Sequence, residues 1–374
     1  MDSFVVSARK YRPATFDQVV GQGSIVSTLK NAIRSKQVAQ SFLFCGPRGT
    51  GKTTCARILA KTINCMNLTS EIEACNECES CKSFDSGQSL NVYELDAASN
   101  NSVDDIRNLV NQVRIAPQIG TKKAYIIDEV HMLSQSAFNA FLKTLEEPPA
   151  HAVFILATTE KHKILPTILS RCQIFGFNRI TVNDIVQHLE KIAKKENIAY
   201  EPDAIHIIAQ KADGGLRDAL SIFDQLVTFS NKNLTYQSVI GSLNVLDSDY
   251  YFKATGFLLE KNIPQSLMLL NEVLAKGFDE HNFVLGLAEH FRNLLLCKNP
   301  LTLNILETSE KNKSLYQEQS TKCSDDFLLC GLEVINDADI QYKSSKNKRL
   351  LIELCLLKLC SENLADLKKK SFAG

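Results

Sequence analysis

Gly46-Pro47-Arg48-Gly49-Thr50-Gly51-Lys52-Thr53 is the stretch on which the fold turns. It satisfies the pattern G-x-x-x-x-G-K-[ST], and its flanks supply the context that the pattern needs. An apolar run over 41–46 leads in as a buried strand, and 52–64 leads out with helical character. Glycines let successive backbone N–H groups turn toward phosphate oxygens, and the following helix adds its positive end. The reading is an ATP cradle. Lys52 is expected to reach the β- and γ-phosphates and the Thr53 hydroxyl to ligate Mg²⁺. Pro47, Arg48, Thr50 and Thr54 complete the expected contacts.

A second segment supplies the acids that such a cradle requires. Ala124-Tyr125-Ile126-Ile127-Asp128-Glu129 is an apolar strand that delivers two carboxylates at its end. Asp128 is expected to hold Mg²⁺, directly or through water, and Glu129 to polarise the attacking water. A lone acidic pair at a strand end is commonly only solvated surface. Beside a phosphate cradle it reads as catalytic. Further apolar runs at 92–98, 153–158 and 174–177 alternate with helical stretches at 103–114 and 135–145. Strands separated by helices predict a Rossmann-like α/β domain, with a parallel sheet and its ligand at the carboxyl ends of the strands.

The chain has 374 residues, more than one ordinary core organises. The expected division is an α/β ATPase domain over 1–179, an all-α lid over 180–245, an all-α bundle over 246–366 and a tail or linker start over 367–374. The lid is read from three short helices at 183–196, 202–211 and 215–229. The bundle is read from leucines at helical spacing in 280–295 and 348–367. Lys+Arg and Asp+Glu both number 42, so the net charge is zero. That balance argues against a bulk electrostatic DNA binder and leaves nucleic-acid contact to a local patch or to partners. No apolar stretch follows Met1, and no window approaches eighteen uninterrupted apolar residues, so the expected location is cytoplasmic with no membrane partner.

Of the twelve cysteines, Cys65, Cys75, Cys78 and Cys81 cluster as C-x9-C-x2-C-x2-C. Two-residue spacings let the backbone wrap thiolates around one tetrahedral Zn²⁺, and four thiolates leave no open position, so the site reads as structural. An iron–sulfur cluster or disulfides are the chemical alternatives. Zinc binding of order ~10 kcal/mol would fold a segment too polar to make its own core. Cys45, Cys55 and Cys172 read as small buried residues, as do the five cysteines after residue 290.

Further motifs give a family resemblance. Leu156-Ala157-Thr158-Thr159 resembles the sensor 1 strand of AAA+ ATPases, and Ser170-Arg171-Cys172 the SRC motif of clamp loaders. Gly214-Gly215-Leu216-Arg217-Asp218-Ala219 resembles sensor 2. With Ala8-Arg9-Lys10-Tyr11-Arg12-Pro13, Phe16-Asp17-Gln18-Val19-Val20-Gly21-Gln22, Leu95-Asp96-Ala97-Ala98-Ser99 and Phe141-Leu142-Lys143-Thr144-Leu145-Glu146-Glu147-Pro148-Pro149, residues 4–230 are similar to the gamma/tau subunits of bacterial DNA polymerase III. The resemblance implies that Thr158, with Thr159 as second choice, reads the γ-phosphate. It implies that Arg217 contacts phosphates of its own site, that Arg171 enters a neighbour's site, and that Arg12 and Val20 lie in a strap over the adenine. A zinc module at 65–81 agrees with it. An arginine is suited to both phosphate roles because its guanidinium is always charged and its donors are fixed.

The function so implied is the ATPase motor subunit of the clamp loader, in which ATP binding and hydrolysis drive loading of the sliding clamp onto primed DNA. The implied partners are other clamp-loader subunits and copies of itself in a pentameric assembly, the sliding clamp, and primer-template DNA mainly through the assembly. The only acidic pair with a mechanistic context belongs to the phosphate cradle, so no polymerase site is expected. Two alternatives stand beside this reading: another AAA+ or helicase-type DNA motor, and a nucleotide-binding scaffold subunit. The resemblance also implies that the helix start Asn100-Asn101-Ser102 lies near DNA backbone, where its amides and hydroxyl could donate to phosphate but supply no charge. His131 is open between helix-start packing and coupling of ATP to the next helix.

Overall fold

The structure, a computed structural model, describes residues 5–117, 120–243, 246–306 and 310–361. The expected tail over 367–374 and the last part of the expected bundle, 362–366, lie outside the described residues. The chain divides into two compact units, one of 1–199 with 208–233 and the other of 200–207 with 234–374.

Five strands form the sheet of the first unit: β1 (Ser41–Cys45), β2 (Val92–Asp96), β3 (Lys123–Asp128), β4 (Ala152–Thr158) and β5 (Gln173–Gly176). Their order is β2-β3-β4-β1-β5, and every neighbouring pair is parallel. Each falls within two residues of an expected strand. Successive side chains point to opposite faces, and both faces are covered. Phe42, Phe44, Ile126, Ile155 and Phe175 pack on one side with Leu29 and Leu59. Leu43, Tyr125, Ile127, Phe154 and Leu156 pack on the other with Ile106 and Phe141. The three central strands, β1, β3 and β4, are buried on both faces and read as continuous apolar runs, which is why they showed in the sequence.

The order of the strands places the chemistry. β4 lies between β1 and β3, and Cys45 pairs with Thr158 while Ile127 pairs with Leu156. The carboxyl ends of the three strands are therefore nearly level, and the segments that follow them meet in one row. Helices Lys52–Ile63, Val103–Val113 and Gln135–Glu146 connect the strands. Ser102 and Ser134 cap the latter two, accepting the N–H of Asp105 and Ala137. Such caps each contribute about 1 kcal/mol. Helices Val182–Lys195 and Leu216–Phe229 complete this unit.

The helical region also holds short extended pieces absent from the sequence reading, Ala199–Tyr200 and Asn233–Leu234. The Ala199 N–H donates to the Lys232 carbonyl at 3.0 Å. Two residues leave no alternation to read.

The second unit is helical. Ser248–Leu259, Ile263–Ala275, Glu280–Cys297, Asp325–Tyr342 and Lys348–Leu359 bury Leu258, Val273, Phe291, Ile335 and Leu356 in one core. Cys323, Cys355 and Cys360 belong to that core, and burial pushes the Cys355 thiol up to about 12. They act as small apolar residues there. No described helix is long and apolar enough to cross a membrane.

Candidate ATP site and cysteine cluster

The phosphate loop runs from the end of β1 into the helix Lys52–Ile63. Gly46 is fixed by a close approach: a Cβ there would lie 2.3 Å from the Phe177 carbonyl oxygen. Gly51 has φ 100°, a left-handed conformation that turns the chain into the helix and favours glycine. Lys52 is 5% exposed, and its Nζ donates to the carbonyls of Gly46 at 2.8 Å and Pro47 at 2.7 Å. Burial lowers its pKa, and the charges of Glu129 and Asp128 act against that shift. A buried ammonium bonded only to carbonyls gains a full counter-charge when a phosphate arrives.

The loop borders a cavity of about 450 Å³. Arg48, Gly49, Thr50, Gly51, Lys52, Thr53 and Thr54 form one wall, and Asp128 and Glu129 stand beside them. Arg12, Val20, Leu216 and Arg217 form another. Partial burial, followed by the charges of Arg57 and Arg217, lowers the pKa of Arg12. Cations gathered this closely raise the field at the cavity, which suits a polyanion.

At the acidic side, Thr53 Oγ1 donates to Asp128 Oδ2 at 2.6 Å. Asp128 Oδ1 accepts the Glu129 N–H at 3.0 Å. Hydroxyl and carboxylate oxygens together are the hard donor set that Mg²⁺ takes beside phosphates. Glu129 itself has φ 46°, a left-handed conformation that costs on the order of 1–3 kcal/mol for a non-glycine residue. Its Oε2 accepts from both the N–H and the hydroxyl of Thr159, at 3.3 and 3.1 Å.

The two threonines at the end of β4 thus have different surroundings. Thr158 is fully buried, and its hydroxyl meets His131 Nδ1 and the Glu160 N–H, each at 3.0 Å. Thr159 touches Glu129. His131, left open by the sequence, lies between the acids: Nδ1 is 3.4 Å from Glu129 and Nε2 is 3.1 Å from Glu160. A histidine after an Asp-Glu pair was the available signal, but its partners Thr158 and Glu160 lie far along the chain.

Arg217 lines the cavity, whereas Arg171 does not. The Arg171 guanidinium donates to Glu146 Oε1 at 2.8 Å and to the Thr167 carbonyl at 2.6 Å, and its side chain remains 33% exposed. The structure therefore gathers Lys52, Thr53, Asp128, Glu129, Arg12, Val20 and Arg217, and leaves Arg171 outside with a fixed pose.

The sulfurs of Cys65, Cys75, Cys78 and Cys81 all lie within 4.8 Å of one another, with Cys75 and Cys81 at 4.0 Å. A tetrahedral Zn–S₄ site with bonds of about 2.3 Å has sulfurs about 3.8 Å apart, so the set fits zinc. A disulfide would need sulfurs about 2.0 Å apart. N–H groups aimed at sulfur favour thiolate. The N–H groups of Glu77 and Cys78 beside Cys75 lower its pKa to about 6. Burial pushes Cys81 upward, a cost that a bound cation removes. Cys81→Ser is expected to lose bound metal and to lower Tm by several degrees, read by metal analysis and thermal melting.

Two family models match in succession. Residues 21–181 match DNA polymerase III, delta subunit, and 184–232 match DNA polymerase III clamp loader subunit, ATPase lid domain. DNA polymerase III subunit gamma of Buchnera aphidicola subsp. Baizongia pistaciae is 34% identical, over 96% of this chain and 98% of that one. The chain belongs to the gamma/tau subunit family of DNA polymerase III. One of the two matching models is thus that of a clamp-loader ATPase lid, and it stands in the same chain as a phosphate loop with its acid pair in place. DNA polymerase III subunit tau of Bacillus subtilis (strain 168) is 42% identical over 98% of this chain and 65% of its own length. The tau subunit of Escherichia coli (strain K12) is 42% identical over 74% and 43%. The chain thus spans less than two thirds of the length of these tau relatives. Within the gamma/tau frame, the lid match coincides with the segment that carries Arg217 to the cavity.

Proposed function

We propose that the chain is the ATP-hydrolysing motor of a clamp loader, acting with other clamp-loader subunits and copies of itself in a pentamer to load a sliding clamp onto primer-template DNA. The observation that carries this reading is the separation of Arg171 from a cavity that gathers Lys52, Asp128, Glu129 and Arg217. Such a site lacks one charge-stabilising group, and a neighbouring subunit can supply it. Hydrolysis then depends on assembly.

In this reading the loop N–H groups and Lys52 bind the phosphates, and Arg217 reports their presence to the lid over 180–245. The helices over 246–366 act as an oligomerising collar. Mg²⁺, when bound, neutralises charge on the phosphates; Thr53 and Asp128 would hold it. Glu129 orients water and accepts its proton. Zinc, held by Cys65, Cys75, Cys78 and Cys81, is structural. DNA contact falls to the assembly, because the Asn100–Ser102 region is engaged internally: Asn100 donates to the Asp96 carbonyl at 3.1 Å, and Ser102 is committed to its cap with Asp105. A scaffold reading is disfavoured, since Lys52, Thr53, Asp128 and Glu129 are intact and mutually placed.

The test is ATP turnover with clamp-loader partner subunits, with and without sliding clamp and primed DNA. Low basal turnover that rises severalfold only when both are present is expected. Turnover indifferent to clamp and DNA would leave an ATPase and remove clamp loading.

A further inference from the structure

Glu73 ties the cysteine cluster to the nucleotide cavity. It lies between Cys65 and Cys75, in a polar insertion, yet it is only 8% exposed. A carboxylate so placed needs partners. Its Oε2 accepts the Phe16 N–H at 3.0 Å and its Oε1 the Asp17 N–H at 3.2 Å. Lys30 Nζ stands 2.8 Å from Glu73 Oε1 and 2.6 Å from Asp17 Oδ1, closing a triangle of charges. Phe16 and Asp17 open the turn Phe16–Gln18. The segments on either side of this turn, Arg12-Pro13 and Val19-Val20, line the cavity.

The insertion is held on a second side as well. Lys61, on the phosphate-loop helix, donates to Asn76 Oδ1 and to Asp85 Oδ1, each at 2.6 Å. Phe84 lies under the cations of Arg57 and Lys61. The segment around the cysteines therefore grips both the phosphate-loop helix and the strap that walls the cavity.

We propose that Glu73 is a positioning residue for nucleotide binding, through which the folded cysteine module holds the 12–20 strap against the cavity and sets ATP affinity. The proposal rests on the cavity being the ATP site. A strap held in advance presents its wall in every molecule. A released strap presents it in a fraction of them, and apparent affinity falls by that fraction. Glu73 is not among the residues that line the cavity, so the expected effect is on affinity and KM, with saturated turnover unchanged.

The test is calorimetric titration of the full chain with ATP and Mg²⁺. Glu73→Ala is expected to weaken binding about five- to tenfold by lowering the competent fraction, with wild-type zinc content and faster amide exchange over 14–20. Glu73→Gln, which keeps an acceptor but loses the charge facing Lys30, falls between. Chelating zinc from the wild type weakens binding similarly, and adds little in Glu73→Ala. Exposed Glu71, changed to Ala, serves as a control without effect. Lys52→Ala separates the two readings: wild-type ATP binding in that variant removes the cavity assignment itself. Loss of binding in Lys52→Ala, with wild-type affinity in zinc-loaded Glu73→Ala, overturns the role of Glu73. If chelation unfolds the chain, zinc-loaded Glu73→Ala alone decides.

Discussion

Arg171→Ala is expected to lower ATP turnover of the assembled loader by on the order of 10³-fold, the usual worth of a trans-acting arginine. ATP affinity of the altered subunit's own cavity should stay at the wild-type value, because Arg171 does not line it. The variant should also fold normally. Arg171 and Glu146 are partly exposed, at 33% and 46%, and such pairs contribute only about 0–1 kcal/mol. The pose of the guanidinium explains the size of the effect. Glu146, the Thr167 carbonyl and the Ser170 hydroxyl take one edge of it, so the remaining donors are pre-aimed and little freedom is lost when they meet a phosphate. Single-turnover hydrolysis in mixed assemblies checks the assignment. An altered subunit beside a wild-type neighbour should silence one of those two sites, and the silent one should be the neighbour's. Silence confined to the altered subunit's own site would return Arg171 to a role in cis.

The sheet and the phosphate loop were legible because their residues obey local rules. Apolar runs of strand length, a glycine loop and a following helix are all adjacent in sequence. The cysteine spacing was legible for the same reason. Roles fixed by long-range contacts were not. Thr158 and Thr159 are chemically alike, yet one step along a strand end turns a side chain to the other face. One is buried against His131, and the other holds Glu129. No spacing rule separates them. Glu146 showed only as part of a Glu-Glu-Pro-Pro string, and its partnership with Arg171 spans 25 residues. Glu73 sat in a segment whose polarity argued for exposure, until the backbone of Phe16 and Asp17 gave it partners. In the helical unit, leucine spacing revealed helices, but the match of Leu258, Phe291 and Ile335 in one core depends on how the helices pack, which the spacing of apolar residues leaves open.

Glu129→Gln is expected to abolish multiple turnover, with a loss of about 10²–10⁴-fold typical of a missing general base, while ATP binding survives. The substitution keeps the volume and an acceptor oxygen, so the two donations from Thr159 have a partner still. Glu129 leads the charges that favour protonated Lys52, with Asp128 second. Removing it leaves Asp128 and the incoming phosphates to hold that ammonium charged. What the amide lacks is basicity, so bound ATP should persist unhydrolysed and the assembly should stall in its ATP state. Thr159→Val supplies the contrast. It removes the hydroxyl that draws Glu129 Oε2 aside at 3.1 Å and leaves the carboxylate intact. If that hydrogen bond restrains the base before assembly, basal turnover in Thr159→Val should rise and stimulation by clamp and DNA should shrink. Rapid-quench ATP hydrolysis on both variants reads the outcome. A Glu129→Gln protein that turns over ATP at the wild-type rate would place the catalytic base elsewhere.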